Sequence, residues 1–275
     1  ATISNFQQGG AGLFAKTSTV LMEMVIVENN ISFGPEGNAG GIYSFESNMD
    51  FKNVNIVNNQ ADEYGGGIVL YNGTHTFTDV NIINNIGGNG GGIAFDSGSL
   101  ENKNLLIKNN HAIYKGGGLW MRNVDLDYDW IDIISNSTSD QSQAGSAIYT
   151  ESPFKLSKIR LINNYNPNNN GTIGYYNYGG NTFTFDSLII ANNIGGLFNP
   201  ANSNNSTINL SNSAIIGNTC NTVFNGTNEN FQITNSTISN NIRSNTGFEL
   251  SGSSTLNINM SNILESVQNI NASDI

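Results

Sequence analysis

Tyr71, Asp96, Arg122, Glu151 and Tyr176 follow one another at intervals of about 25 to 29 residues. In a chain that repeats at that interval they form one column, with Tyr43, Trp120 and Tyr149 in the column beside it. Aromatic rings next to carboxylates and a guanidinium are what a sugar-binding groove requires, because sugar rings offer apolar faces to aromatic planes and hydroxyls to charged forks. The alternative is a ladder of ion pairs between neighbouring strands, each contributing about 0.2–1 kcal/mol. Asp96 and Glu151 stand two repeats apart, roughly 9.6 Å at about 4.8 Å per strand spacing, which approaches the carboxylate separation of inverting glycosidases. Arg122 between them favours two carboxylates over an acid and base couple, so no catalytic residue is assigned. A lyase would need a base near a calcium ion or a basic cluster, and the spacing assembles neither.

A second group consists of Asp125, Asp127 and Asp129, with Asp132 just beyond. On a strand the three alternating carboxylates share one side, and calcium takes such hard oxygen ligands. The turn glycine and terminal glutamate of a calcium loop are missing, and a solvated acidic edge accounts for the same residues. Calcium is the only cofactor the residues suggest. His75 and His111 stand alone in expected turns, and Cys220, the single cysteine, cannot close an internal disulfide.

The elements that must position these groups are visible as columns. Apolar pairs recur at Ile26-Val27, Ile56-Val57, Ile82-Ile83, Leu106-Ile107, Ile133-Ile134, Leu161-Ile162, Ile189-Ile190 and Ile215-Ile216. Three residues after the first member of each pair comes an asparagine: Asn29, Asn59, Asn85, Asn109, Asn136, Asn164, Asn192 and Asn218, with Asn241 continuing the series. A third column follows glycines at Gly41-Ile42, Gly67-Ile68, Gly92-Ile93 and Gly118-Leu119, and runs on through Ile148, Ile173, Leu197, Val223 and Phe248. The clusters of Gly and Asn and the wealth of Ile, Val, Thr and Phe argue for short strands rather than helices.

A strand beginning at the glycine, a second around Phe51, Phe77, Phe154, Phe183 or Phe231 and a third carrying the apolar pair make one coil. The predicted fold is all-β: a right-handed parallel β-helix, a three-strand solenoid of about ten coils forming a single domain over residues 1–275. Alternation in the first strand turns Ile68, Leu70, Ile93, Phe95, Leu119 and Met121 inward and Asp96, Arg122 and Glu151 outward. A side-chain amide is both donor and acceptor, so the asparagine column can bond from coil to coil as a ladder.

The segments Asn58-Asn59-Gln60-Ala61-Asp62-Glu63-Tyr64-Gly65-Gly66-Gly67-Ile68 and Asn109-Asn110-His111-Ala112-Ile113-Tyr114-Lys115-Gly116-Gly117-Gly118-Leu119 resemble the repeats of polymorphic outer-membrane adhesins. Asn212-Ser213-Ala214-Ile215-Ile216-Gly217-Asn218 is similar to β-helix repeats of large bacterial surface proteins with a C-terminal anchor. The resemblance implies an extracellular or cell-surface location and a role in adhesion, while pectin-lyase-like enzymes on the same architecture supply the alternative of a polysaccharide lyase or hydrolase.

Composition narrows the partners. Charged residues make up 11% of the chain and the net charge is -11, so there is no basic stripe for nucleic acid or an anionic membrane. No apolar run approaches the roughly 20 residues needed to span a bilayer. The partners left are a glycan or a surface protein. The exposed ends of a solenoid add end-to-end self-association into a fibre.

Overall fold

Three strand segments and three sharp turns make each coil. The computed structural model describes residues 1–4, 12–34, 38–128, 130–139, 145–152, 155–168, 171–176, 182–200, 205–243, 248–264 and 267–268. Among these there is no helix. Successive coils pair in parallel, as Ile42–Phe45 does with Ile68–Tyr71 and Asn48–Val57 with Thr74–Ile83. Short strands such as Gln60–Ala61 and Ile86–Asn89 pair in a second sheet of five.

The second and third strands expected from the sequence are one continuous strand with a corner in it. In Thr74–Ile83 the inward residues are His75 and Phe77, then Val80 and Ile82. Asp79 supplies the corner with a φ of 54°, and Asn53 and Asn104 do the same in neighbouring coils at 53° and 58°. Left-handed backbone shifts the side-chain alternation by one residue, and short polar side chains tolerate it better than most. Phe51, Phe77, Phe183 and Phe231 are all buried at these inward positions. Phe154 lies outside the described residues.

The next corner explains the asparagine doublets. At Asn58-Asn59, Asn84-Asn85 and Asn163-Asn164 the first residue is left-handed, with φ of 55°, 57° and 57°, and the second is buried. The buried members form the ladder Asn30, Asn59, Asn85, Asn110, Asn136, Asn164, Asn193, Asn218 and Asn241. Each Nδ2 donates to the next Oδ1 at 2.8–3.2 Å. Each Oδ1 also accepts the backbone N–H of the rung before it, as from Asn59 to Asn85 at 2.9 Å. The ladder therefore satisfies a buried turn without water.

Three of the sequence-derived rungs are corrected: Asn29, Asn109 and Asn192 are the left-handed neighbours of the rungs Asn30, Asn110 and Asn193. The rung lies three residues after whichever member of the apolar pair faces inward. That member is Val27, Ile107 or Ile190 in those coils and Ile56, Ile82, Ile133, Leu161 or Ile215 in the others. The partner in each pair faces out. Similarly, in backbone register Ile173 pairs with Phe198, Phe198 with Phe224 and Phe224 with Phe248, so Phe198 and Phe224 replace Leu197 and Val223 in that column.

The nine rungs span about eight turns rather than ten, a rod roughly 38 Å long at about 4.8 Å per coil. A single apolar core runs through it. The glycine preceding the first strand in the earlier coils, Gly41, Gly67, Gly92 and Gly118, serves close approach: a Cβ on Gly67 would lie 2.7 Å from the Gly92 carbonyl oxygen and 3.1 Å from Asn85 Nδ2. The first strand is thereby drawn against the ladder.

Candidate glycan groove

The first strands carry the two columns read from the sequence. Phe45 pairs with Tyr71, Tyr71 with Asp96, and Asp96 with Arg122. The Glu151 N–H donates to the Met121 carbonyl at 3.0 Å, and the Tyr176 N–H donates to the Thr150 carbonyl at 2.8 Å, which extends the column in register. Beside it, Tyr43 pairs with Val69, Val69 with Ala94, Ala94 with Trp120, and Trp120 with Tyr149.

Charge is balanced along the first column. Arg122 Nε donates to Asp96 Oδ1 at 3.1 Å, and Nη2 donates to Asp96 Oδ2. Arg122 Nη1 stands 3.9 Å from Glu151, whose other oxygen is 3.9 Å from Lys115 Nζ. The hydrogen bonds that Arg122 donates to Asp96 raise its pKa above the ordinary value, against partial burial, with the charges of Asp96 and Glu151 adding to the rise. The guanidinium also lies over the Trp120 ring at 5.7 Å.

Two of the aromatics are not exposed. Trp120 is 5% accessible and Tyr149 0%, so both belong to a second, outer apolar cluster with Ala39, Val69 and Ala94. The cause is the loop before each glycine, which folds back over the first strand. Tyr64 from one such loop sets its ring 6.0 Å from Trp120. Lys115, which ends the strand His111–Lys115, sits 4.4 Å over the Tyr149 ring and donates to its hydroxyl at 3.1 Å.

What remains open is a groove of about 240 Å³ lined by Tyr43, Tyr71, Asp96, Trp120 and Arg122 together with Asn38, Tyr64, Val69 and Ala94. It brings together five of the eight residues proposed from the sequence, while Tyr149, Glu151 and Tyr176 lie beyond it. Tyr71 is 38% accessible and stacks on Phe45, with centroids 5.0 Å apart and planes at 4°. Tyr43 leans on both Phe14 and Phe45 at 5.3 and 6.3 Å. Burial first, then the neighbouring Tyr71 and Tyr64, push the Tyr43 phenol up, so its hydroxyl remains a neutral donor. Asn38 and Tyr64 escape a column-based reading because they sit in loops that do not repeat in register. Tyr64 shares with Tyr114 a place just before a glycine run, and that was the available signal.

The acidic run is not resolved into a site. Asp129 and the side chains of Asp125 and Asp127 lie outside the described residues. Asp132 is engaged in a two-pronged pair with Arg160, Nη2 to Oδ2 at 2.6 Å. Among the described residues no three His, Cys, Asp or Glu side chains cluster as a metal site.

Both histidines depart from the expectation of isolated turn residues. His75 faces the core of a strand, fully buried, with its ring edge-on to Phe95 at 5.3 Å. Burial lowers its pKa to about 4. His111 begins the strand His111–Lys115, its ring nitrogens 2.9 and 2.8 Å from the Ser137 and Ser139 hydroxyls. A further buried acid, Glu229, has no sequence signal. It is 1% accessible, accepts from the Tyr175 hydroxyl at 3.3 Å, and is pushed up to about 8 by burial.

No protein family matches the chain, and neither a curated protein nor a solved structure does. The adhesin and lyase resemblances thus rest on the motifs alone, and what is established is a parallel β-helix.

Proposed function

We propose that this chain is an extracellular or cell-surface β-helix module that binds glycans through the groove on its first strands, and that it works by adhesion rather than catalysis. The observation that carries this reading is the groove itself, where tyrosine rings surround a carboxylate hydrogen-bonded to a guanidinium. A ring stacked on another ring is a rigid apolar platform, and a fixed donor and acceptor fork orients hydroxyls. Rigidity limits the ordering cost of binding. Asp96, the one acid among the described residues lining the groove, has both oxygens engaged by Arg122, which supports a binding role over proton exchange with a substrate.

The test is a glycan array read in parallel with product release from the same polysaccharides, for the wild type and for Tyr71→Ala and Arg122→Ala. Binding without cleavage, weakened about tenfold by loss of the Tyr71 stack, is the expected outcome. Cleavage abolished by Arg122→Ala would make the groove an active site. Absence of both would leave the columns structural and move a spacer or end-to-end fibre to first place.

A further inference from the structure

The glycan reading leaves open which sugars the groove accepts, and its charges bear on that choice. Arg122 is the only cation and Asp96 the only anion among the described residues lining it. A guanidinium that faced the groove unpaired would be a clamp for carboxylate, sulfate or phosphate groups. Here Nε and Nη2 are both committed to Asp96, and Nη1 faces Glu151 at 3.9 Å. Of the flanking cations, Lys115 is held by Glu151 and by the Tyr149 hydroxyl, and Lys16 lies over the Phe45 ring at 5.7 Å, on a ring that stacks on Tyr71 but does not line the groove. An anionic sugar entering this groove would meet the Asp96 carboxylate without a free cation among the described lining residues to offset it, on a chain whose net charge is -11.

A neutral sugar meets no such opposition. Asp96 Oδ1 already accepts from Arg122 Nε and from the Ser97 hydroxyl, so a sugar hydroxyl can donate to the remaining lone pair of Oδ2 and another can accept from the outer N–H groups of Arg122, while the C–H face covers the Tyr71 ring. The opening of about 240 Å³ is smaller than the roughly 300–1,000 Å³ typical of drug-sized ligand pockets, which suits one sugar ring at a time. Resting on the glycan-binding reading, we infer that the groove selects a single uncharged hexopyranose residue, and that Asp96 is the specificity determinant: by occupying Arg122 it excludes uronic and sulfated sugars.

Because the Asp96–Arg122 pair is partly solvent-exposed, with 45% of the Arg122 side chain accessible, it adds little to stability, and Asp96→Asn should fold. The experiment is calorimetric titration of the wild type and Asp96→Asn with neutral disaccharides of glucose and galactose and with the corresponding uronates, at low and high salt. The wild type is expected to bind a neutral sugar at least about tenfold more tightly than its uronate, with little salt dependence. Asp96→Asn is expected to gain about tenfold for the uronate, with that gain abolished by high salt and absent from an Asp96→Asn, Arg122→Gln double variant.

Asp132→Asn is the control, since it frees Arg160 in a like pair away from the groove. It should change neither affinity. Wild-type preference for uronates, or an Asp96→Asn variant with unchanged uronate binding, overturns the inference while leaving glycan binding standing. If the wild type binds no neutral or acidic sugar, glycan binding itself fails and the inference with it.

Discussion

At the residue scale, two buried titratable side chains, Glu229 and His75, oppose each other in their response to pH. Glu229 has a folded-state pKa of about 8 against an ordinary 4.5, so its contribution is fully present below about pH 4.5 and is lost as pH rises through about 8. His75 is the reverse: its pKa falls from 6.5 to about 4, so its contribution is present above about pH 6.5 and is lost as pH falls through about 4. Replacing Glu229 by Gln keeps an acceptor for the Tyr175 hydroxyl and removes the charge. The difference in melting temperature between wild type and Glu229→Gln should therefore move against the wild type between about pH 4.5 and 8. A difference that stays flat across that range would show that the carboxyl is not buried as described. Neither side chain was legible as special in the sequence, because burial at an inward position follows from register and not from residue type.

At the element scale, the corner inside each long strand is an L-residue in a left-handed conformation, which most side chains adopt at a cost of roughly 1–2 kcal/mol. Asn53, Asp79 and Asn104 suit the place, but the first coil uses Met24 at a φ of 53°, with its side chain 68% accessible. Its neighbours Glu23 and Val25 pair with Lys52 and Val54, so Met24 occupies the position that Asn53 holds one coil on. Met24→Asn should stabilise the protein by about 0.5–1 kcal/mol, since it relieves the strain and removes no buried packing. Chemical denaturation would reveal this as a higher midpoint with an unchanged slope, and an unchanged or lower midpoint would argue against strain at this corner. The corners were foreseen only as gaps between strands. That a strand continues through them depends on the coil below supplying hydrogen bonds on both sides of the bend.

At the scale of the whole molecule, the strands of each coil pair only with those of its neighbours, so stability is largely a sum of coil and interface contributions along one axis, with a few side chains such as Tyr64 and Tyr175 reaching two coils on. Asn136 stands in the middle of the ladder, donating through Nδ2 to Asn164 and to the Ile107 carbonyl and accepting from Asn110. Asn136→Ala leaves buried partners on both sides unsatisfied and should cost about 2–5 kcal/mol. Asn241→Ala, near the end of the stack, should cost less, because coils there can open without disturbing an interface on the far side. Equal losses in denaturant melts would mean that the ladder does not transmit stability along the rod.

The period, the strand content, the parallel stacking and the existence of an asparagine ladder were all determined by the sequence alone. Residues one coil apart must meet when a chain winds at constant length, and repeating types at that spacing record it. The Tyr71, Asp96, Arg122 column was legible for the same reason. Which member of each Ile or Val pair turns inward, and hence whether Asn29 or Asn30 is the rung, was decided by tertiary structure, because both members are equally apolar and only the left-handed corner sets the register. The burial of Trp120 and Tyr149 was decided there too. The loops carrying Asn38 and Tyr64 have no fixed period, and their packing over the first strands, with that of Lys115 at the end of its strand, determines which columns are covered and which form the groove.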